Sequence, residues 1–320
     1  MSFGDVLTSG VRTSRLATLQ QQVVAFQILG LLAWGVWTWA HAFWLFPIGA
    51  VALLFGYAFV LLVEFIAVAW VNRSDPAPAL AWMALARAWW TEVKTAPLVF
   101  SWRQPFRWRL LPDETVSPAS GKTAVVLIHG FVCNRGLWLP WMRRLRALGI
   151  PYTSVNLEPV FGSIDDYMPL IDEAVRRAQA LTGRSPLLVC HSMGGLAARA
   201  WRVATPDADD RVCRFVTIGS PHQGTWLGRL SHVTNGKQMR QNSRWLQTLR
   251  EREAQRFPEA TYSRFTCWYS NADNIVFPCS TASLPGADNR FLTGQAHVSM
   301  AFLDEVMTGT LALVDPPINP

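Results

Sequence analysis

The chain has 320 residues, 50% of them hydrophobic and only 16% charged, with a formal net charge of +7. That length allows one large core, or a core with an added module. The charge raises two anionic partners, nucleic acid and an anionic membrane surface. No zinc-finger spacing, RNA-binding aromatic motif or long basic run supports the first, so no nucleic acid partner is expected.

Five cysteines, at 133, 190, 213, 267 and 279, lack C-x-x-C pairs and metal-type spacing, which argues against a disulfide framework or a structural zinc. They read as reduced core residues, and Cys267 and Cys279 are candidates for a bridge only outside the cytoplasm.

Residues 23–46 carry no Asp, Glu, Lys or Arg, and residues 48–71 carry only Glu64. Each run exceeds the roughly 20 residues an apolar helix needs to cross a hydrocarbon core. Pro47 between them predicts a tight turn, and Trp34, Trp37, Trp39, Trp44 and Trp70 supply rings suited to the interfaces. Residues 1–72 are therefore expected to form a transmembrane hairpin. Arg12 and Arg15 precede it, Arg73 and Arg87 follow it, and the connection has no Lys or Arg. Both ends are then cytoplasmic, on the inner membrane. Ala40-His41-Ala42 also resembles a signal-peptidase site, and cleavage there would leave the second span and the placement intact. Glu64 reads as neutral or snorkelling toward the nearby cytoplasmic end, with a dedicated role as the alternative.

Residues 73–121 are expected to hold an interfacial helix and a linker. In "ALAWMALARAWWTEV" (79–93), Trp82, Leu85, Trp89 and Val93 fall on one stripe. The helix lies on the membrane surface or, alternatively, packs on the soluble domain. Six Lys/Arg between residues 71 and 109, interleaved with Trp and Phe, favour the membrane. "SPASGK" (117–122) reads as the linker.

From residue 122 onward, strands and helices alternate. "TAVVLIHG" (123–130) is a short apolar, β-branched run of the kind buried on both faces of a sheet. A helix at 136–148, strand 151–157, helix 164–181, strand 186–190, helix 194–204, strand 213–219, strand 264–270 and a last strand near 290–293 follow. Such alternation predicts a parallel sheet with helices on both faces.

"CHSMGG" (190–195) places Ser192 between a strand and a helix. A serine hydroxyl is a weak nucleophile unless a base takes its proton and the backbone holds it exposed. A sharp strand-to-helix turn does the second, and its crowding demands small residues two positions before and after. Those positions are Cys190 and Gly194; cysteine is small enough, and at the end of a buried strand its thiol is inert.

Together with "VLIHGF" (126–131), "GSPHQGT" (219–225), "NADNIVFP" (271–278) and "GQAHVSM" (294–300), this segment resembles the α/β-hydrolase superfamily, and within it the lipases and the GPI-inositol-deacylase-like branch. The resemblance spans 123–306 and leaves the hairpin unexplained. It implies a mostly parallel sheet flanked by helices with a helical lid insertion, in a domain over 122–320. It also implies a triad in the order Ser192, Asp273, His297, with Asp288 in reserve for the acid. The oxyanion donors would be the backbone N–H groups of Phe131 and Met193. His129 and His191 are read as structural. The triad needs no cofactor, and no motif places a metal.

Residues 222–258 form a long connection carrying apolar and basic side chains, expected to be a lid or substrate-binding insertion, or else a cap merely packed on the sheet. Trp226, Leu227 and Leu230 are its candidate substrate contacts. The expected activity is serine hydrolysis of a lipid or other acyl ester at the membrane. Thioesterase, amidase or acyltransferase chemistry on the same fold is the alternative, and a catalytically silent membrane-bound interaction domain is a third.

Overall fold

The computed structural model describes residues 13–113 and 122–314; Arg12 and nearly all of the expected linker lie outside them. Helix α1 (Arg15–His41) starts where the Ser14 hydroxyl accepts the Ala17 N–H at 3.1 Å. A short 3₁₀ turn (Phe43–Leu45) leads into α2 (Phe46–Val71), with Pro47 in the first turn, where its missing N–H costs nothing.

These two helices are long and apolar enough to cross a membrane, and only 6% and 11% of their most apolar stretches is buried in the protein. Phe26, Trp39 and Trp44 are exposed along the distal hairpin, whereas Leu16 and Ala17 at one end and Phe65 and Val68 at the other are buried. The ends are thus built into the body and the tip stands clear of it.

Helix α3 (Trp82–Pro97) continues as a π-helical segment (Leu98–Arg107). Leu85, Ala88, Glu92 and Val93 are buried, and Trp82, Met83 and Trp90 are exposed. The Trp89 indole donates to the Ala58 carbonyl at 2.9 Å and the Tyr57 hydroxyl to that of Val93 at 2.8 Å, so α3 is docked on α2. The stripe of Leu85 and Val93 therefore faces protein, as in the packed alternative, while Trp82 points away.

The sheet has six parallel strands: β1 (Val125–Ile128), β2 (Tyr152–Ser154), β3 (Leu187–His191), β4 (Arg214–Ile218), β5 (Phe265–Ser270) and β6 (Asp288–Leu292), in the order β2-β1-β3-β4-β5-β6. Between and after them run α4 (Leu139–Ala147), α5 (Met168–Thr182), α6 (Met193–Ala204), α7 (Arg244–Arg256), the short turn α8 (His297–Met300) and α9 (Asp304–Leu311). Side chains alternate between faces along each strand. Val126, Ile128, Leu188 and Cys190 join one core with α5 and α6, and Val125, Leu127, Leu187 and Val189 join the other with α4 and α9. A third cluster ties the hairpin to this unit, with Phe65, Val68, Leu85 and Ala88 packed on Ala272, Phe277 and Ala296. Phe65 and Leu85, exposed by 3% and 5%, each contribute about 1.5–3 kcal/mol by burial.

Across residues 222–258 lie a 3₁₀ turn (Trp226–Leu230), a short helix (Thr234–Gln238) and α7. The fully buried Arg199–Glu253 pair, at 2.6 Å, fastens α7 to α6, and the Tyr262 hydroxyl donates to the same carboxylate at 2.7 Å. Arg240 donates to the Gly228 carbonyl at 2.9 Å, so this arginine is used within the segment itself. Cys267 and Cys279 are both buried free thiols.

Candidate active site

In a parallel sheet all strands end on one edge, and ligands gather there. Four such ends meet in this fold. Between β3 and α6, Ser192 has φ 55° and ψ −128°, a conformation rare for a residue with a Cβ and costing about 1–3 kcal/mol. Its N–H donates to the Ile218 carbonyl at 2.9 Å, which holds the turn. A Cβ at Gly194 would come within 2.6 Å of the Ile128 and His129 carbonyl oxygens, so the turn admits only glycine there. Cys190 is fully buried in the core, and burial pushes its thiol above the ordinary range. It packs, and does not compete with the serine.

After β1, a Cβ on Gly130 would touch the Ser192 Cβ at 2.6 Å, so the loop carrying Phe131 lies directly on the serine. His129 shapes that loop. Its Nε2 accepts the Leu157 N–H at 3.0 Å, leaving Nδ1–H to donate to the Gly130 carbonyl at 2.9 Å. Burial pushes its pKa down to about 4, so it stays neutral. Met193 opens α6, where the leading N–H groups have no acceptor within the helix.

After β5, one Asp273 oxygen accepts the N–H groups of Ile275 and Val276 at 2.9 and 2.7 Å. The other lies 2.9 Å from Nδ1 of His297, which follows β6. Burial alone would push the imidazole down, but the carboxylates around it, Asp273 foremost and then Glu92 and Glu64, together outweigh it and the net shift is upward. Asp288 sits on edge strand β6, paired with Arg290 at 2.8 Å, so the reserve acid is not used here. The His191 ring packs 4.6 Å from that of His297 and donates from Nε2 to its carbonyl at 3.2 Å. Burial holds His191 neutral, so no second positive charge faces His297.

Three groups missing from the sequence-based site hold the His297 turn. Asn274 accepts the His297 N–H at 3.2 Å and donates to Glu64 at 2.7 Å. The Glu92 carboxylate accepts the N–H groups of Val298 and Ser299 at 2.8 and 3.1 Å. Burial pushes Glu92 upward. In the sequence, Asn274 stands beside Asp273, Glu64 is the one charged residue of an otherwise apolar helix, and Glu92 is the one acid of α3.

Ser192 and His297 line one cavity of about 370 Å³, together with Phe131, Ile275 and Val298. Its other wall comes from Tyr57, Val60, Leu61 and Glu64 of α2, and from Glu92, Ala96 and Phe100. Among the described residues lining it, none is Trp226, Leu227 or Leu230. The Trp226 ring stacks on Phe277 at 5.9 Å and meets Trp70 edge-on at 6.4 Å, Leu227 packs on the hairpin cluster, and Leu230 is 65% exposed. None of the three expected contacts lines this cavity: Trp226 and Leu227 pack in the cluster that holds α2, while Met239, Trp245 and Leu246 of the same segment join the core with α5 and α6.

Residues 125–310, more than half of the chain, match the model of the alpha/beta hydrolase family. The chain belongs to that family. Among solved structures, this alpha/beta hydrolase is similar to the mature Bacillus licheniformis lipase BlEst2, with 18% identity and a TM-score of 0.51 over 62% of this chain and 93% of that one. It is also similar to Aspergillus fumigatus lipase B, with 19% identity and a TM-score of 0.54 over 64% and 57% of the two chains. At such identities the likeness is one of fold. No curated protein matches the chain.

Proposed function

We propose that the protein is a membrane-anchored serine hydrolase that cleaves acyl esters of lipids through an acyl-enzyme. The Ser192 Oγ attacks the ester carbonyl carbon while its proton passes to His297 Nε2. Asp273 holds the opposite ring nitrogen and stabilises the imidazolium. The electron pair displaced onto the carbonyl oxygen is met by the N–H groups of Phe131 and Met193. Collapse breaks the bond to the alcohol, which leaves with the proton from His297. Water then attacks the acyl-serine with the same proton relay, releasing the acid and free Ser192.

The observation that carries this reading is that Ser192, in a strained turn, shares an apolar cavity with a histidine oriented by a buried aspartate. The anchor is supported by two long helices whose apolar faces the protein leaves largely uncovered. Labelling with a fluorophosphonate is the test. Native protein is expected to react and Ser192→Ala not to; labelling that persists in Ser192→Ala overturns the assignment. A preference for long-chain esters presented in micelles over short soluble esters is expected, and the reverse preference counts against a lipid substrate.

A further inference from the structure

The cavity has a wall that the hydrolase unit does not supply. Tyr57, Leu61 and Glu64 are four and three residues apart on α2, hence on one side of the helix, and all three line the cavity. On the other side Phe59, Leu62, Val63 and Ile66 are exposed. One helix thus faces the reacting groups on one side and the membrane on the other. From this we infer that α2 is the wall of an acyl-chain site, and that the chain of a bilayer lipid slides in beside α2 directly from the hydrocarbon layer. The inference rests on the serine hydrolase reading above and adds to it the route and the seat of the chain.

The polar groups along this wall are already occupied. The Tyr57 hydroxyl donates to the Val93 carbonyl, Glu64 accepts from Asn274, and Glu92 accepts two backbone N–H groups. Between them, Val60, Leu61, Ala96, Phe100, Ile275 and Val298 face a ligand. Such a wall offers hydrocarbon to a chain, and the polar side chains His191, Ser192, Asn274 and His297 stand together at the reacting end of the cavity. The volume, about 370 Å³, lies within the usual range for small-molecule sites. From Glu64 to Tyr57 the wall runs about 10 Å along the helix axis.

The rim explains the direction of approach. Val60 lines the cavity and is 58% exposed, and its neighbours Phe59 and Val63 are 69% and 49% exposed. The lip of the cavity is therefore continuous with the apolar outside of the hairpin. A chain crossing this lip leaves one hydrocarbon medium for another and exposes little new apolar surface to water, which is the costly step for any other path.

The test uses the full chain in vesicles of phosphatidylcholine and phosphatidylglycerol, and a long-chain alkyl fluorophosphonate with a diazirine at the chain tip. Once Ser192 is labelled, irradiation marks whichever wall holds the chain. Crosslinks within residues 57–61 are expected. Labelled Ser192 with crosslinks confined to 226–230, or with none on α2, overturns this inference alone. A native chain whose Ser192 takes no probe overturns the hydrolase reading, and this inference falls with it.

A second measurement is the ratio of long-chain to short-chain ester turnover, each normalised to labelled serine. Leu61→Trp, filling the cavity, is expected to lower that ratio about tenfold or more, and the outward-facing Leu62→Trp to leave it unchanged. Val60→Trp, at the exposed rim, replaces Leu61→Trp if the latter does not fold. Equal ratios in the inward and outward variants overturn the proposal.

Discussion

In the hydrolase unit, Val125 to Ile128 and Leu187 to Cys190 have no exposure, and charged side chains such as Asp288 and Arg290 lie toward the outside. In the N-terminal helices, Phe26, Trp39 and Phe59 are outside, and the groups turned inward include Gln20, Glu64 and Glu92. One region keeps its large apolar side chains inside, and the other leaves many of them outside. Five polar groups of the second region find directional partners: Gln20 on Gln104, Asn72 on the Asn271 carbonyl, Glu64 on Asn274, Asp75 on Ser280, and Glu92 on the turn of His297. Apolar contact alone would let a helix rotate or slide. Hydrogen bonds fix its register, and four of these five contacts end on residues 271–298, the stretch that carries the acid and the base.

Several variants would sharpen or break this division. Ser192→Ala is expected to reduce ester hydrolysis by about 10⁴-fold or more with the melting curve unshifted. Comparable turnover in that variant, measured after exclusion of contaminating esterases, would falsify the assignment of the serine. Glu253→Ala removes one partner of a pair with no exposure and should cost about 3–5 kcal/mol of stability, read by denaturant unfolding. Its turnover per folded molecule should match the native value, because the pair lies outside the cavity lining. A selective loss of turnover at unchanged stability would move the insertion back into the site.

The pH profile probes the contact between the two regions. A protonated imidazole cannot take the serine proton. Since His297 is shifted up from its ordinary value of 6.5, activity should rise with pH along an acid limb lying above that value. Glu92→Gln keeps a carbonyl oxygen for the Val298 and Ser299 N–H groups but removes a negative charge that raises His297. The limb should then move to lower pH. A limb that stays in place would assign Glu92 a purely structural part. Smallest of all, Leu230→Ser at a 65% exposed position is expected to change stability by no more than about 0.5 kcal/mol. A marked change in chain-length preference there would favour the insertion over α2 as the chain wall.

Much of the hydrolase unit was legible in the chain because its signals are local. A β-branched run ending in glycine marks β1, and a serine set between small residues after an apolar run marks the turn at Ser192. Edges were less legible: the helix expected from 136 begins as a 3₁₀ turn at Arg135, and the last strand starts at Asp288, since capping and pairing decide such ends. For the insertion at 222–258, composition suggested a substrate cover. Trp226 and Leu227 have another partner in α2, and nothing in their spacing distinguishes a hydrocarbon chain from a helix.

By itself, the sequence determined the two apolar helices, the alternating strands and helices, and the order of Ser192, Asp273 and His297, because each rests on neighbours along the chain or on chain order. Tertiary structure alone decided that Glu64 and Glu92 reach the turn of His297, across separations of 210 residues to Asn274 and 206 to Val298. It alone made α2 a wall of the cavity. Periodicity shows which residues share a face of a helix, but what that face meets depends on how distant segments pack, and a helix apolar on every side offers no local sign of which side turns inward.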